Sequence, residues 1–459
     1  MEDFMKNQFT TIFSILFLIT TTHAFADFNS AADAYQNKQY AIALEEFSSL
    51  AKIGEVRSQT NLAVMYYYGH GVEQNLALAY AWARLGSEND KASSHSSTVL
   101  TAIEGSLTEK QSALEQYQQL ADSYSYDILI KNTYPILIEA KDDTKKRSAT
   151  AIKVIPPKYP KRALYRSTTG YVTIQFDIDR KGKPRNLRVV RSVPKDVFNK
   201  ATLKVIPKWT FEPLKNDSGE PIWSFDLRYT LEYKLKDYDP INKKVYNKIK
   251  KNALAGDAAS EYSYALVHQS LPSLKLIDDI NPTEWFLKSA RQGLPRAQYQ
   301  LGSNLIYGKG CYEDKSKGIQ WLNRAASNGV DEASEMLAKI AIQTPTLESQ
   351  KQALALLSQS DKLSPAATIQ FAWILSTSPF IEIRDPEKSI DMVEDLNYKK
   401  YKDEITKMEI IAASYAALGK FEKAVSIQEN ALEDAKDDEL DLVDIKSHLE
   451  LYKQNKTWF

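Results

Sequence analysis

The spacing of hydrophobic residues changes from helical to strictly alternating in one part of the chain, between positions 170 and 235. The first alternating segment predicts a strand with one apolar face. Its apolar positions are Val172, Ile174, Phe176 and Ile178. A turn over 180–184 and a second alternating segment complete a hairpin, and residues 196–206 then show helical spacing.

The last alternating segment, from Ile222 to Leu235, predicts a long strand. Apolar residues take every second place without a break, and polar residues take the places between them. Its central residues are Trp223, Phe225, Leu227, Arg228, Tyr229, Thr230 and Leu231. The order strand, strand, helix, strand predicts a small α+β domain over 152–235, in which one helix covers an antiparallel sheet.

Outside this domain the chain repeats itself with an offset of 239 residues. The matching pairs are Tyr68 and Tyr307, Gly69 and Gly308, Gly71 and Gly310, and Trp82 and Trp321. Each unit predicts a helix, a glycine turn and a second helix, because the Y-G-x-G turn needs positive φ between antiparallel helices. We expect helical repeats over 27–124 and 240–343, further helix pairs over 345–459 and a polar linker over 125–151.

The repeats near residues 31–90 and 253–340 resemble Sel1-like repeats, on the combined pattern A-x-x-x-L, Y-G-x-G and Trp. The segment 410–435 resembles a tetratricopeptide unit. These resemblances imply a mostly α-helical protein, an α-solenoid of helix pairs with a small α+β domain inserted into it. Such repeats stack on their neighbours and present extended surfaces for binding other proteins.

The α+β domain resembles the C-terminal domain of the TonB family over its whole length. The resemblance rests on the Y-P-x-x-A lead-in at Tyr159 and Pro160, on the alternating strand that begins at Gly170, and on the K-W-x-F-x-P element with Trp209 and Pro213. It implies peptide binding in the periplasm, where family members add a short extended segment of an outer-membrane receptor to the sheet edge.

The long strand is the expected binding edge, because an exposed edge offers unpaired N–H and C=O groups to a peptide. The alternative is that this strand is central or covered. Transducers of the family also have a membrane anchor that couples to an inner-membrane proton-driven motor, followed by a proline-rich rod. This chain has no such rod, and Ser14 and His23 do not reproduce the closely spaced pair of family anchors.

The first 26 residues predict an export signal that is cleaved before Asp27. The apolar run from Phe9 to Phe17 is followed by Ala24-Phe25-Ala26, a small-residue cleavage pattern. The run is shorter than the about 20 apolar residues that span a membrane. We therefore expect a periplasmic protein; an inner-membrane anchor that faces the periplasm is the alternative.

The net charge of zero hides a strongly basic domain. Residues 152–235 contain 18 basic and 8 acidic residues, whereas Glu433–Asp444 contains seven acids and one lysine. Such a field attracts anionic partners. The candidates are acidic receptor segments, the phosphates of lipid or lipopolysaccharide, and the acidic C-terminal helices of this chain. Export argues against nucleic acid as a partner.

The sequence contains no pattern typical of catalysis or cofactor binding. The five histidines are scattered without a metal-ligand spacing, and no P-loop, dinucleotide or G-x-S-x-G motif occurs. The single cysteine, Cys311, excludes an intramolecular disulfide. We expect a non-enzymatic protein that needs no cofactor and no metal. Three roles follow: a periplasmic peptide-binding module, a membrane-anchored energy transducer for outer-membrane transport, and a general envelope adaptor unrelated to transport.

Overall fold

The structure, a computed structural model, describes ten segments of the chain. They are residues 27–89, 92–138, 151–166, 168–215, 218–235, 243–270, 280–343, 345–358, 363–396 and 403–459. The predicted export signal lies outside them. None of the described helices combines the length and apolar character that a membrane-spanning segment requires.

Helix pairs make up the fold before and after a small sheet domain, residues 151–235, as the sequence predicted. The helices before it are α1 Phe28–Gln36, α2 Tyr40–Ala51, α3 Val56–Tyr68, α4 Leu76–Ser87, α5 Ser94–Glu104, α6 Lys110–Tyr124 and α7 Tyr126–Asn132. Those after it are α10 Lys243–Leu254, α11 Ala258–Ser270, α12 Pro282–Arg291, α13 Pro295–Tyr307, α14 Lys315–Ser327, α15 Asp331–Gln343, α16 Leu347–Ser358, α17 Pro365–Thr377, α18 Pro386–Glu394, α19 Glu404–Ala417, α20 Phe421–Asp437 and α21 Val443–Lys453.

The Y-G-x-G turns have the backbone conformation that the sequence requires. Gly69 and Gly308 end α3 and α13 with φ of +70° and +62°, and each is a left-handed helix cap. Gly71 and Gly310 also have positive φ, at +77° and +64°. The two repeat units therefore fold alike although the sheet domain separates them.

The two blocks of repeats pack on each other and share one hydrophobic core. Leu50 and Ile53 of the first block lie in the same buried cluster as Phe286 and Ala290 of the second. The buried guanidinium of Arg291 donates to the carbonyl oxygen of Gly54 at 2.6 Å. The sheet domain is thus an insertion into a continuous stack of helices.

The polar linker predicted over 125–151 is wrong for its first part, because residues 126–132 form α7 and belong to this core. The buried Leu129 lies in the shared cluster, and the hydroxyl of Tyr134 donates to the carbonyl oxygen of Ile53 at 2.7 Å. The indole N–H of Trp321 donates to the carbonyl oxygen of Thr133 at 2.8 Å. Residues 139–150 lie outside the described segments.

In its described residues the sheet domain contains seven strands, two short α-helices and a 3₁₀ helix over Ile206–Lys208. They are β1 Ala151–Lys153, α8 Lys161–Tyr165, β2 Gly170–Ile178, β3 Pro184–Val193, α9 Asn199–Val205, β4 Thr210–Phe211, β5 Leu214–Lys215, β6 Pro221–Ile222 and β7 Ser224–Tyr233. The main sheet is antiparallel with the order β3-β2-β7, and β1 pairs with β4 and β5 with β6 in two small ribbons.

The last strand is shorter than the predicted span from Ile222 to Leu235, since β7 has ten residues. Its partner β2 sets this limit. Gly170 at the start of β2 pairs with Tyr233, and Ile178 at its end pairs with Ser224. Residues beyond these pairs have no strand of the main sheet beside them in the described chain.

Candidate functional site

Strand β7 is an edge of the main sheet, which is the position that the sequence predicted. Within the described chain β7 pairs only with β2, on one of its two sides. In an antiparallel strand about half of the N–H and C=O groups point to each side. The outer side of β7 therefore offers backbone donors and acceptors with the spacing that an extended peptide needs.

One face of the sheet forms the core of the domain. The buried residues of this core include Val172, Ile174 and Phe176 of β2, Phe198, Trp209 and Phe211, and Leu231 and Tyr233 of β7. Leu227 and Tyr229 are half-buried against the same core, and the rings of Trp209 and Tyr229 meet edge to face at 5.1 Å. Leu227, Tyr229 and Leu231, which were predicted to contact a peptide, therefore pack inward.

The motif residues make contacts within the domain. The hydroxyl of Tyr159 donates to the carbonyl oxygen of Thr168 at 2.7 Å, and Pro160 caps α8. The indole N–H of Trp209 donates to the carbonyl oxygen of Ile155 at 2.9 Å. The half-buried Pro213 lies between β4 and β5.

Gly170 allows two backbones to come together. A Cβ atom at this position would lie 1.9 Å from the carbonyl oxygen of Val193, at the far end of β3. Only glycine fits so close to a neighbouring backbone. The glycine that opens the alternating strand is therefore required by the hairpin itself.

The other face of the sheet is polar and lies against the helical repeats. Arg228 of β7 donates to the hydroxyl of Tyr299 at 2.7 Å and to Oε1 of Gln300 at 2.8 Å, both on α13. Thr230 shares a hydrogen bond of 2.9 Å with Thr173 of β2. Arg228 and Thr230, predicted as peptide contacts, thus have hydrogen-bond partners within this chain.

The two remaining predicted site residues lie near the start of β7. Trp223 directly precedes the strand, and the guanidinium of Arg185 lies 6.0 Å from its ring centre. Phe225 lies within β7. The described side chains of the predicted site therefore contact the domain core or the helical repeats. The backbone on the outer side of β7 is the part that can pair with a partner.

Strand β3 contributes a row of arginines to the same polar face. Arg185, Arg188 and Arg191 stand opposite Asp177, Gln175 and Thr173 of β2. Two irregularities in the pairing between β2 and β3 allow residues three apart to share one face, which regular alternation would forbid. Beyond the basic charge of the domain, no pattern in the sequence indicated this arrangement.

These arginines join the sheet domain to helices far along the chain. Arg185 lies 3.3 Å from the carboxylate of Asp403, and Arg188 forms an ion pair with Glu335 of α15. Lys339 of α15 lies 3.6 Å from the buried carboxylate of Asp177. The row therefore fastens one face of the sheet to α15 and to the start of α19.

The hairpin turn between β2 and β3 contacts the acidic C-terminal segment. Arg180 donates to Asp441 at 2.8 Å and to Asp444 at 3.0 Å, and its hydrogen bond to Asp444 is the main cause that raises its pKa. Lys183 lies 3.0 Å from Glu439. Of the partners considered for the basic domain, the acidic C-terminal helices of this chain are the ones that the structure shows.

No group of three or more His, Cys, Asp or Glu side chains with the arrangement of a metal site occurs in the described segments. Cys311 is buried in the core shared by the two repeat blocks. The site is thus built from backbone edges, arginines and carboxylates.

Two family comparisons match the two kinds of domain. Residues 155–235 match the family described as Gram-negative bacterial TonB protein C-terminal. Residues 56–91, 283–294 and 295–330 match the Sel1 repeat. The sheet domain thus matches the TonB C-terminal domain, and it is called the TonB C-terminal domain below. Sel1 repeats lie on both sides of it in the chain.

Curated relatives match a short part of the chain. Protein TonB of Yersinia enterocolitica is 37% identical over 62 residues, which are 14% of this chain and 24% of that protein. Protein TonB of Pseudomonas aeruginosa is 34% identical over 62 residues, which are 14% of this chain and 18% of that protein. The chain thus covers a quarter or less of the length of these two relatives.

Solved structures of both kinds of domain are similar to parts of the chain. The solution structure of the Pseudomonas aeruginosa TonB C-terminal domain is 24% identical, with a TM-score of 0.18, and the match covers 21% of this chain and 95% of that one. A protective antigen of uropathogenic Escherichia coli with an SLR fold is 15% identical, with a TM-score of 0.32, over 94% of this chain and 80% of that one. A Sel1 repeat protein from Oxalobacter formigenes is 15% identical, with a TM-score of 0.31, and the match covers 42% of this chain and 85% of that one.

Proposed function

We propose that this protein is a peptide-binding adaptor of the bacterial cell envelope. Its TonB C-terminal domain would add an extended segment of an envelope protein, such as an outer-membrane receptor, to the outer side of β7. The observation that carries this proposal is the position of β7 at the sheet edge, in a domain that matches the TonB family. The role is binding and not catalysis.

The contacts of β7 indicate how such binding would be achieved. Leu231 and Tyr233 are buried in the core, and Arg228 is held by α13. These side chains cannot turn toward a partner without breaking internal contacts. The main-chain hydrogen bonds of the added strand would therefore supply most of the affinity.

The helical repeats would fix the orientation of the binding edge. The TonB C-terminal domain contacts α13 through Arg228, α15 through Arg188 and α19 through Arg185. Three attachments on separate helices prevent the domain from rotating freely. A peptide captured at β7 would thus be held at a defined position relative to the repeats, which can contact a second envelope protein.

Hydrogen–deuterium exchange of the full chain tests this proposal. The probe is a labelled synthetic peptide that corresponds to the extended N-terminal segment of an outer-membrane receptor. We expect the peptide to bind and to slow exchange in 224–233, because pairing protects the outward N–H groups. Strand β3, the opposite edge of the same sheet, is the internal control and should be unaffected. Absence of binding, or protection of β3 in place of β7, would contradict the proposal.

We also propose that the protein is exported and acts in the periplasm. Helix α1 begins at Phe28, and the side chain of Asp27 caps it by accepting from the N–H of Ser30 at 2.8 Å. Cleavage before Asp27 would leave this cap in place. Fractionation and intact mass of the native protein test the proposal, and a periplasmic species that starts at Asp27 is expected. A membrane species that keeps residues 9–26 would favour the energy-transducer alternative.

A further inference from the structure

The two short helices of the TonB C-terminal domain lie on the side of the sheet that is opposite the helical repeats. Ala163 of α8 and Ala201 of α9 pack against the core on one face of the sheet. The other face lies against the repeats, which it contacts through Arg188 and Arg228. The exposed sides of α8 and α9 therefore point away from the repeats.

Aromatic contacts in the core hold α8 and α9 next to each other. The ring of Tyr159, two residues before α8, meets the ring of Phe198, the residue before α9, edge to face at 5.5 Å. Both rings also contact Tyr233 at the end of β7, at 5.6 Å and 4.2 Å. The segments 158–165 and 195–204 therefore lie side by side, and we call their exposed side the outer basic surface.

The outer basic surface has an excess of positive charge, since its two segments contain six basic residues and one acidic residue. The exposed basic residues are Lys158, Lys161, Arg162, Lys195, Lys200 and Lys204. Within the described chain none of these six side chains forms an ion pair or a hydrogen bond. The single acid, Asp196, accepts a hydrogen bond from the side chain of Asn199 at 2.8 Å.

Other basic groups of the same domain have carboxylate partners inside the protein. Arg180 and Lys183 of the hairpin turn pair with the acidic C-terminal segment. Arg185 and Arg188 of β3 pair with carboxylates at the start of α19 and on α15. The outer basic surface differs from these sites because its charges face solvent, where an external anion can reach them.

Apolar side chains are exposed among these cations. Leu164 and Tyr165 of α8 are 52% and 92% exposed. Val197 and Leu203 are also exposed, in the second segment of the surface. Basic side chains around exposed leucine and tyrosine are typical of a protein surface that lies on an anionic membrane. The apolar groups enter the headgroup region there, and the long lysine side chains reach the phosphates. An acidic protein would use the charges but not the exposed apolar groups.

We propose that the outer basic surface binds the surface of an anionic phospholipid bilayer, with Leu164 and Tyr165 inserted among the headgroups. Each lysine or arginine close to such a surface strengthens binding about fivefold. The repeats, on the opposite side of the sheet, would then be directed away from the lipid. This role goes beyond the peptide binding proposed for β7 and does not depend on it, because the test contains no peptide.

Co-sedimentation of the full chain with vesicles tests the proposal. The probe is a vesicle of equal parts phosphatidylglycerol and phosphatidylcholine, and vesicles of phosphatidylcholine alone are the neutral comparison. We expect the chain to bind the anionic vesicles more tightly, and about 0.5 M salt should remove the difference by screening the charges. Equal binding to both vesicles would overturn the proposal.

Polyglutamate, a soluble acidic chain, distinguishes a membrane from an acidic protein as the partner. Binding of polyglutamate at the outer basic surface without any preference for anionic vesicles would mean that the partner is an acidic protein, and the membrane proposal would be wrong. The apolar segment 9–17 is present in every sample. Its own contribution to lipid binding therefore cancels when variants are compared.

Variants separate the outer basic surface from the overall charge of the chain. Lys161→Gln together with Lys200→Gln should weaken binding to the anionic vesicles about 30-fold, or about fivefold for each lysine. Lys52→Gln together with Lys110→Gln removes the same charge from exposed positions of the first repeat block and is the matched control. An equal loss in this control would overturn the assignment to the outer basic surface.

Tyr165→Ser tests the inserted apolar group without changing the charge. It should weaken binding to the anionic vesicles and leave binding to polyglutamate unchanged, because only the bilayer offers a headgroup region to the ring. Circular dichroism verifies that each variant is folded, which is expected since the replaced side chains are exposed. Unchanged vesicle binding in Tyr165→Ser would contradict the insertion of this ring.

Discussion

Arg185 of β3 and Asp403, the residue that caps α19, lie 3.3 Å apart although 218 residues separate them in the chain. Both side chains are largely buried, with 8% and 16% of their surface exposed. The contact joins the TonB C-terminal domain to the C-terminal helices. It shows that the inserted domain is docked on the repeats by specific charge pairs.

Removing the charge of Asp403 should weaken this docking. Asp403→Asn retains a side chain able to cap α19, where Asp403 accepts from the N–H of Thr406 at 3.0 Å. It leaves Arg185 without its carboxylate, and breaking a buried pair costs about 3 kcal/mol. Urea denaturation measures the change. Asp385→Asn is the control, because Asp385 caps α18 in the same way, accepting from Lys388; a loss as large in this variant would contradict the role of the ion pair.

The contacts of the acidic C-terminal segment should contribute to the free energy of unfolding according to how deeply each carboxylate is buried. Asp441 is 5% exposed, accepts from Arg180, and donates its backbone N–H to Asp179 at 3.1 Å. Asp441→Asn should therefore destabilise the protein by about 2 kcal/mol, the scale of a hydrogen bond to a charged group. Glu439→Gln removes a solvated pair with Lys183, and Glu439 is 79% exposed. It should have no measurable effect in the same denaturation experiment; equal losses would refute this ranking.

Stability should depend on pH through Glu409 of α19. Burial raises its pKa to about 7, an effect that Arg185 opposes and Asp403 and Asp444 reinforce. Between its usual pKa of 4.5 and 7 the folded state keeps a proton that the unfolded state releases. The contribution of Glu409 to the free energy of unfolding therefore falls as pH rises through this window.

Glu409→Gln imitates the protonated acid and isolates this effect. The variant should match the wild type near pH 4.5 and exceed it at pH 8, by up to about 3 kcal/mol at about 1.4 kcal/mol per pKa unit. His448, 3.8 Å away, has a pKa lowered to about 4 by burial. As pH falls below 6.5, the unfolded state takes up a proton on this histidine that the folded state does not, and the protein loses stability. Each variant is therefore compared with the wild type at the same pH, so that this effect cancels. Glu382→Gln at an exposed position is the control; a variant-to-wild-type difference that does not change with pH would refute the prediction.

Two glycines of the TonB C-terminal domain should respond differently to alanine. Gly182 and Gly219 have nearly equal φ, +79° and +81°. A Cβ at Gly182 would lie 2.0 Å from the carbonyl oxygen of Phe211, whereas no described atom lies within 4 Å of one at Gly219. Gly219→Ala should cost about 1 to 2 kcal/mol from backbone strain alone, and Gly182→Ala clearly more. Thermal unfolding measures both; equal losses would mean that the close approach to Phe211 is not limiting.

The sequence determined the elements and the kinds of domain, because these depend on local patterns. The alternation from Gly170 to Ile178 specified β2, and the repeated glycines Gly69 and Gly308 specified the helix turns. The acidic segment Glu433–Asp444 and the basic domain indicated a charge attraction within the chain. The family resemblance also located the edge strand, which β7 occupies.

Tertiary structure alone decided which side chains remain for function. Period-two alternation cannot place Arg185, Arg188 and Arg191 on one face, since that depends on irregular pairing with β2. Nor can it show that Arg228 contacts Tyr299, because residues 71 apart are brought together only by the packing of the domain on the repeats. Arg191, Arg228 and Arg296 line one cavity for the same reason, because they belong to separate elements that only the docked fold brings together.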